Sequence, residues 1–178
     1  MSHGNRLFGE SDLKREAPYP LLYVCEAGDI AQVSARINEG CDVNAASHDG
    51  WSPLIMAAKE GWHELVTTLL AAGATPNPPA PAQHTALRGA SLFGHDACIR
   101  RLLNAKADPN LPSAGGKTPL MGAAMNGHAS TIRILHQYGA SEAACNEYGE
   151  TALMIAEARG LSECVELLKA LFSPSNTT

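Results

Sequence analysis

Residues 117–135, KTPLMGAAMNGHASTIRIL, hold two short helical patterns and the break between them. Thr118 is a natural N-cap: its hydroxyl can accept from backbone N–H groups two or three residues on, and Pro119 follows at the first helical position, where no donor is needed. Leu120, Ala123 and Ala124 then fall at i, i+3 and i+4 and make one apolar face. Gly127 ends this helix by taking up a backbone conformation that a residue with a Cβ resists. A second helix follows, with Ile132 and Leu135 on its inner side.

Moving outward, the pattern returns at every step of 33 residues. Leu21, Leu54, Leu87, Leu120 and Leu153 are in register, as are Gly28, Gly61, Gly94, Gly127 and Gly160. Ala57, Ala90, Ala123 and Ala156 follow the same period, with Val24 standing for alanine in the first copy. Five units at one period predict a row of similar blocks, each burying its apolar side against the next, in place of one radial core.

The composition suits such a row. Aromatic residues make up only 5% of the chain and much of its 45% hydrophobic content is alanine, which lets short helices approach closely. The net charge of −5, from 13 basic and 18 acidic side chains, argues against a general nucleic-acid binder. Charge is uneven, however: residues 78–110 carry four basic and two acidic groups, between negative ends. No stretch of 18 apolar residues is present and no apolar leader opens the chain, so no membrane contact is expected and the location expected is cytoplasmic or nuclear. Five cysteines without C-x-x-C spacing leave one over in any disulfide scheme. Cys25, Cys41, Cys98 and Cys164 take framework places held elsewhere by Ala, Ser or Leu and read as core fillers in a reducing compartment, whereas Cys145 falls in a loop and is the thiol expected to be exposed.

The ends depart from the repeat in ways that suit caps. Residues 1–17 precede the first unit and read as a tail or capping segment, residues 18–171 as the repeat domain, and residues 172–178 as a disordered tail. Arg36 stands where later copies have Leu69, Leu102, Leu135 and Leu168. In the last copy Glu157 replaces an alanine, and Lys169 stands where earlier copies have Leu70 and Leu103. Gly40, Gly73 and Gly139 fit left-handed positions after the second helices, but the third copy has Lys106 there, at a cost of about 1 kcal/mol. Between helix pairs, residues 43–51, 76–84, 110–117 and 143–150 are rich in turn formers and read as turns or hairpin-like fingers. Pro76, Pro78, Pro79 and Pro81 make the second a poor strand pairer. It is either a stiff loop or a polyproline ligand.

These motifs together resemble the ankyrin repeat, whose signature is T-P-L-H-x-A-A and G-H within 33 residues. SPLIMAAKEGW, TALRGASLFGH, TPLMGAAMNGH and TALMIAEARGL are full matches and residues 21–28 a degenerate fifth. The resemblance implies an all-α solenoid: a stack of antiparallel helix pairs with β-hairpin-like finger loops, binding other proteins through finger tips and first helices on a concave side. The usual histidine after T-P-L is Ile55, Arg88, Met121 and Met154 here, so hydrogen bonds it would make are missing. Arg88 is the odd one among apolar replacements; it either reaches a neighbouring finger or stays in solvent.

Within such an array, contact residues are read by place. Residues opening the helix pairs at the finger base are Trp51, His84, Lys117 and Glu150, while the tips add His48, Asp49, Glu147 and Tyr148. Before the first-helix glycines stand Lys59, Glu60, Leu92, Phe93, Met125, Asn126 and Arg159. Large apolar groups ringed by polar ones are the usual centre of a protein interface. The protein-binding candidates are therefore Trp51, Lys59, His84, Leu92, Phe93, Lys117, Met125, Asn126, Tyr148 and Arg159. Against this, Phe93 can fold back on Arg88 or a finger, Trp51 can pack on its neighbour, and Trp62 reads as a seal on the helix turn. No nucleophile, base and acid can be assembled from the spacing, and no clustered metal ligands or phosphate loop occur. The reading is a non-catalytic, monomeric adaptor or scaffold for one protein partner, without cofactor, metal, nucleic acid or small-molecule substrate. The alternative is a stand-alone inhibitor that covers the active or assembling surface of an enzyme or filament.

Overall fold

The computed structural model describes residues 20–79 and 83–172; the expected tail at 1–17, Pro81 and residues 173–178 lie outside them. Among the described residues ten α-helices form five pairs: α1 (Pro20–Glu26) with α2 (Ile30–Asn38), α3 (Pro53–Glu60) with α4 (His63–Ala71), and α5 (Ala86–Phe93) with α6 (Asp96–Asn104). α7 (Pro119–Asn126) pairs with α8 (Ala129–Gln137), and α9 (Ala152–Ala158) with α10 (Ser162–Leu171). The start of each first helix from α3 onward is set by a hydroxyl: Ser52, Thr85, Thr118 and Thr151 accept from the N–H groups of Ile55, Arg88, Met121 and Met154. α3, α5 and α7 close on Gly61, Gly94 and Gly127 with φ of 80°, 70° and 77°.

First helices stack on first helices and second on second, so the row is all-α among the described residues. Leu21, Leu54, Leu87 and Leu120 are buried in one continuous core. Leu153 is only partly buried, a departure from the equivalent enclosure its register implies, because no described helix pair follows to cover the outer side of α9. The same end shows the outward substitutions paired with each other: Lys169 Nζ lies 2.7 Å from Glu157 Oε1, both well exposed. At the other end Arg36 is exposed and pairs with Glu39 at 3.2 Å.

Neighbouring blocks are fastened by a polar device that repeats with the chain. Asn44 donates to the Gly73 carbonyl at 3.2 Å and accepts from Thr75 N–H at 2.8 Å. Asn77 does the same to Lys106 and Asp108, and Asn110 to Gly139 and Ser141. Each asparagine thus clamps the turn that ends the next pair, satisfying backbone groups a helix terminus leaves open. At the fourth place the chain has Ala143 and Phe172 in the positions of the asparagine and the turn glycine, so this side-chain clamp is not repeated there.

Three of the fingers close on two backbone bonds apiece: the N–H of Ser47, Ser113 and Asn146 donates to the carbonyl of Trp51, Lys117 and Glu150, and the N–H of Gly50, Gly116 and Gly149 donates back to the carbonyl of Ser47, Ser113 and Asn146. Among the described residues pairing goes no further than the isolated Ser113–Lys117 bridge, so these hairpin-like tips are tight turns without strands. Adjacent fingers are joined where Ala114 N–H meets the Gln83 carbonyl and Glu147 N–H the Gly115 carbonyl.

Lys106 is the single non-glycine residue with positive φ among those described, at 68°. Lys106→Gly is expected to raise stability by about 1 kcal/mol, because the left-handed penalty on a Cβ disappears while the carbonyl that Asn77 holds remains. A urea midpoint that fails to rise would show the strain to be already relieved.

Candidate functional site

The candidate residues sort into three groups. In the first, the Trp51 and His84 rings stack with centroids 4.1 Å apart and planes 24° from parallel. Lys59 Nζ stands 5.9 Å from the Trp51 centroid and 5.8 Å from that of Phe93, linking the two rings across adjacent blocks. Phe93 is 46% exposed and lies beside His95, centroids 6.1 Å apart. Burial first, and then the nearby Arg88 charge, hold His84 below the ordinary histidine range, with Asp49 opposing. The ring is therefore neutral at pH 7 and offers an aromatic face to Trp51.

The second group lines a groove of ≈ 290 Å³ between the last two fingers and the first helices α5, α7 and α9. Lys117, Met125, Tyr148 and Arg159 meet here, together with Arg88 and Glu150. Tyr148 at 74% exposure is the most open of the large hydrophobic side chains among the described residues, and the Glu147 charge and hydrogen bond push its phenol above the usual range. Gly122 sits on the groove wall: a Cβ there would stand 3.4 Å from Leu92 N and 3.5 Å from the Arg88 carbonyl, so the bare residue lets α7 come close to α5.

Leu92 and Asn126 form the third group and are tied into the frame. The Asn126 amide donates to the Leu92 carbonyl at 2.7 Å, and His128 Nε2 lies 3.1 Å from the same oxygen. The Asn126 amide nitrogen is thus engaged between blocks. His95 repeats the arrangement on the Lys59 carbonyl at 3.0 Å. Trp62 takes the corresponding place over Gly28, so it does seal a helix turn, that of the preceding block.

Arg88 neither reaches a finger carboxylate nor lies free in solvent. Its guanidinium is half-buried, its Nε has no hydrogen-bond partner, and burial lowers its affinity for the proton. The spacing marked it as the one charged residue at an otherwise apolar place, but nothing in the repeat indicated a groove beside it.

Cys25, Cys98 and Cys164 are buried and Cys145 is exposed, all as free thiols. Desolvation pushes Cys25 up to about 12 and Cys98 up to about 11, which keeps both inert near neutral pH. Among the described residues no group of three or more His, Cys, Asp or Glu is placed to hold a metal ion, and no helix is long and apolar enough to cross a membrane.

A stack of equivalent helix pairs that clamps its own backbone and leaves one grooved face open defines a solenoid of the class whose members generally bind other proteins. The family model for ankyrin repeats in three copies matches residues 21–113 and again 84–176, and the chain belongs to the ankyrin-repeat family. The chain is also similar to the mitochondrial disaggregase of Homo sapiens, 44% identical over 57 residues, and to that of Bos taurus, 42% identical over 57 residues. Those segments are 32% of this chain and span 8% of either relative's length.

Proposed function

We propose that this chain is a non-catalytic adaptor that holds a protein partner on its concave face and finger tips, acting as a monomer in the cytoplasm or nucleus. The observation that carries the reading is the ladder of Trp51, His84, Lys59 and Phe93, aromatic and cationic groups set side by side across two blocks at the mouth of the first helices. Such rigid, half-exposed rings supply contact area at small entropic cost. Free buried thiols fit a reducing compartment.

Phe93→Ala is the clean test, since Phe93 is not part of the buried core, whereas Trp51 and Met125 pack against it. The expected result is a partner affinity weakened by about tenfold, with unfolding changed by less than about 1 kcal/mol. Affinity capture with the wild-type chain, repeated with Phe93→Ala and followed by titration of the recovered partner, measures both. Undiminished affinity would remove the ladder from the interface.

A further inference from the structure

The groove between the last two fingers and α5, α7 and α9 is polarised in a way the ladder is not. Three cations, Arg88, Lys117 and Arg159, line it against one carboxylate, Glu150. That carboxylate is already engaged: its Oε2 accepts from Asn146 Nδ2 at 2.8 Å. None of the three cations makes an ion pair among the described residues, although the chain as a whole is acidic. Arg88 is the anomaly within the anomaly, a half-buried guanidinium with an enclosed, unpartnered Nε at the place where the other blocks carry Ile55, Met121 and Met154. A buried donor without an acceptor is uncommon in folded proteins, and a guanidinium fork matches a carboxylate with two parallel hydrogen bonds.

We propose that this groove receives an aspartate or glutamate side chain of a bound peptide segment, its carboxylate pairing with the Arg88 guanidinium while the adjoining residue lies along the partly exposed Met125. The proposal rests on the protein-binding reading above and names the chemistry the partner brings to one part of it. Size supports a single side chain with its neighbour: ≈ 290 Å³ lies at the lower limit of ligand pockets. A carboxylate is preferred over a phosphate because the second negative charge of a phosphate would sit beside Glu150, which lines the same space.

The experiment is selection from a random peptide library, with phosphoserine among its residues, on the full chain and on Arg88→Met, after the unfolding midpoints of both are measured. Selected peptides are expected to share an Asp or Glu next to an apolar residue. They should bind wild type at least about thirtyfold more tightly than Arg88→Met, the loss expected when one partner of a desolvated charge pair is truncated. Changing that acid to its amide in the best peptide should give a similar loss on wild type and little on the variant. This peptide-side arm decides the matter if Arg88→Met proves unstable, with Lys117→Gln and Arg159→Gln as milder replacements on the protein side. Peptides without an acid, a preference for phosphoserine, or an acidic preference that survives in Arg88→Met would overturn the groove assignment while capture by the Trp51–Phe93 ladder stands. A library that yields no binder to wild type would overturn both.

Discussion

Gly94→Ala is expected to destabilise the array by about 3 kcal/mol, the sum of a left-handed backbone penalty and a collision in a packed contact. Gly94 has φ of 70°, and a Cβ built there would stand 2.6 Å from Nδ1 of His128, the residue that opens α8 in the next block. His128 is held over the glycine by its bond to the Leu92 carbonyl, so it cannot swing away without giving that bond up. Gly160 separates the two contributions. Its φ is 67°, yet no heavy atom lies within 4 Å of its added Cβ, because no further described block covers it. Gly160→Ala should therefore cost only about 1 kcal/mol, the backbone part alone. Urea midpoints of the two variants make the comparison, and Gly94→Ala combined with His128→Ala should recover the collision part in a double-mutant cycle. Equal losses at Gly94 and Gly160 would mean that the ring does not read the glycine.

This pair of residues also shows what was legible in the sequence. The 33-residue register located the helices, their hydroxyl caps, the left-handed turns and the strained Lys106, because each of these depends on residues a few positions apart. The contacts that join the blocks depend on residues 29 to 36 apart, and for them a period says only that something recurs. Asn44, Asn77 and Asn110 were visible at that period as turn formers; their reach into the following turn was not. The histidines of the G-H dipeptides read as framework residues, but that each caps the preceding block's glycine follows only once the blocks are stacked.

The candidate surface was legible to the same depth. Place within the repeat was enough to select Trp51, Lys59, His84 and Phe93, and the stack does bring them together. It was not enough to divide the others. Asn126 and Met125 are neighbours in sequence, yet one side chain turns to the α5 carbonyl end and the other to the groove wall. Arg88 was missed as a groove residue because its significance lies in lacking a partner, and pairing across fingers cannot be read from one block.

The stack itself is tested by comparing Leu120→Ala with Leu153→Ala. Leu120 lies fully buried in α7, between α5 and α9, and its truncation is expected to cost about 3–4 kcal/mol, as a cavity in a core that cannot collapse around it. Leu153 occupies the same place one block later but is only partly covered, and its truncation should cost about 1–2 kcal/mol. The difference measures the neighbour, since the side chain, helix position and cap are alike. The mode of unfolding should differ too. In a row where each block touches only those beside it, stability is a sum of block and interface contributions. Leu120→Ala weakens two interfaces in the interior and should uncouple the blocks before it from the last one. Leu153→Ala should only fray the end. Hydrogen exchange resolved by helix distinguishes these cases: exchange in α9 and α10 accelerates alone in Leu153→Ala, whereas in Leu120→Ala it accelerates from α7 through α10 while α3 to α6 keep more of their protection. Equal energetic losses, or uniform loss of protection along the chain in both variants, would mean that the five pairs share one indivisible core and that end blocks enjoy no special freedom.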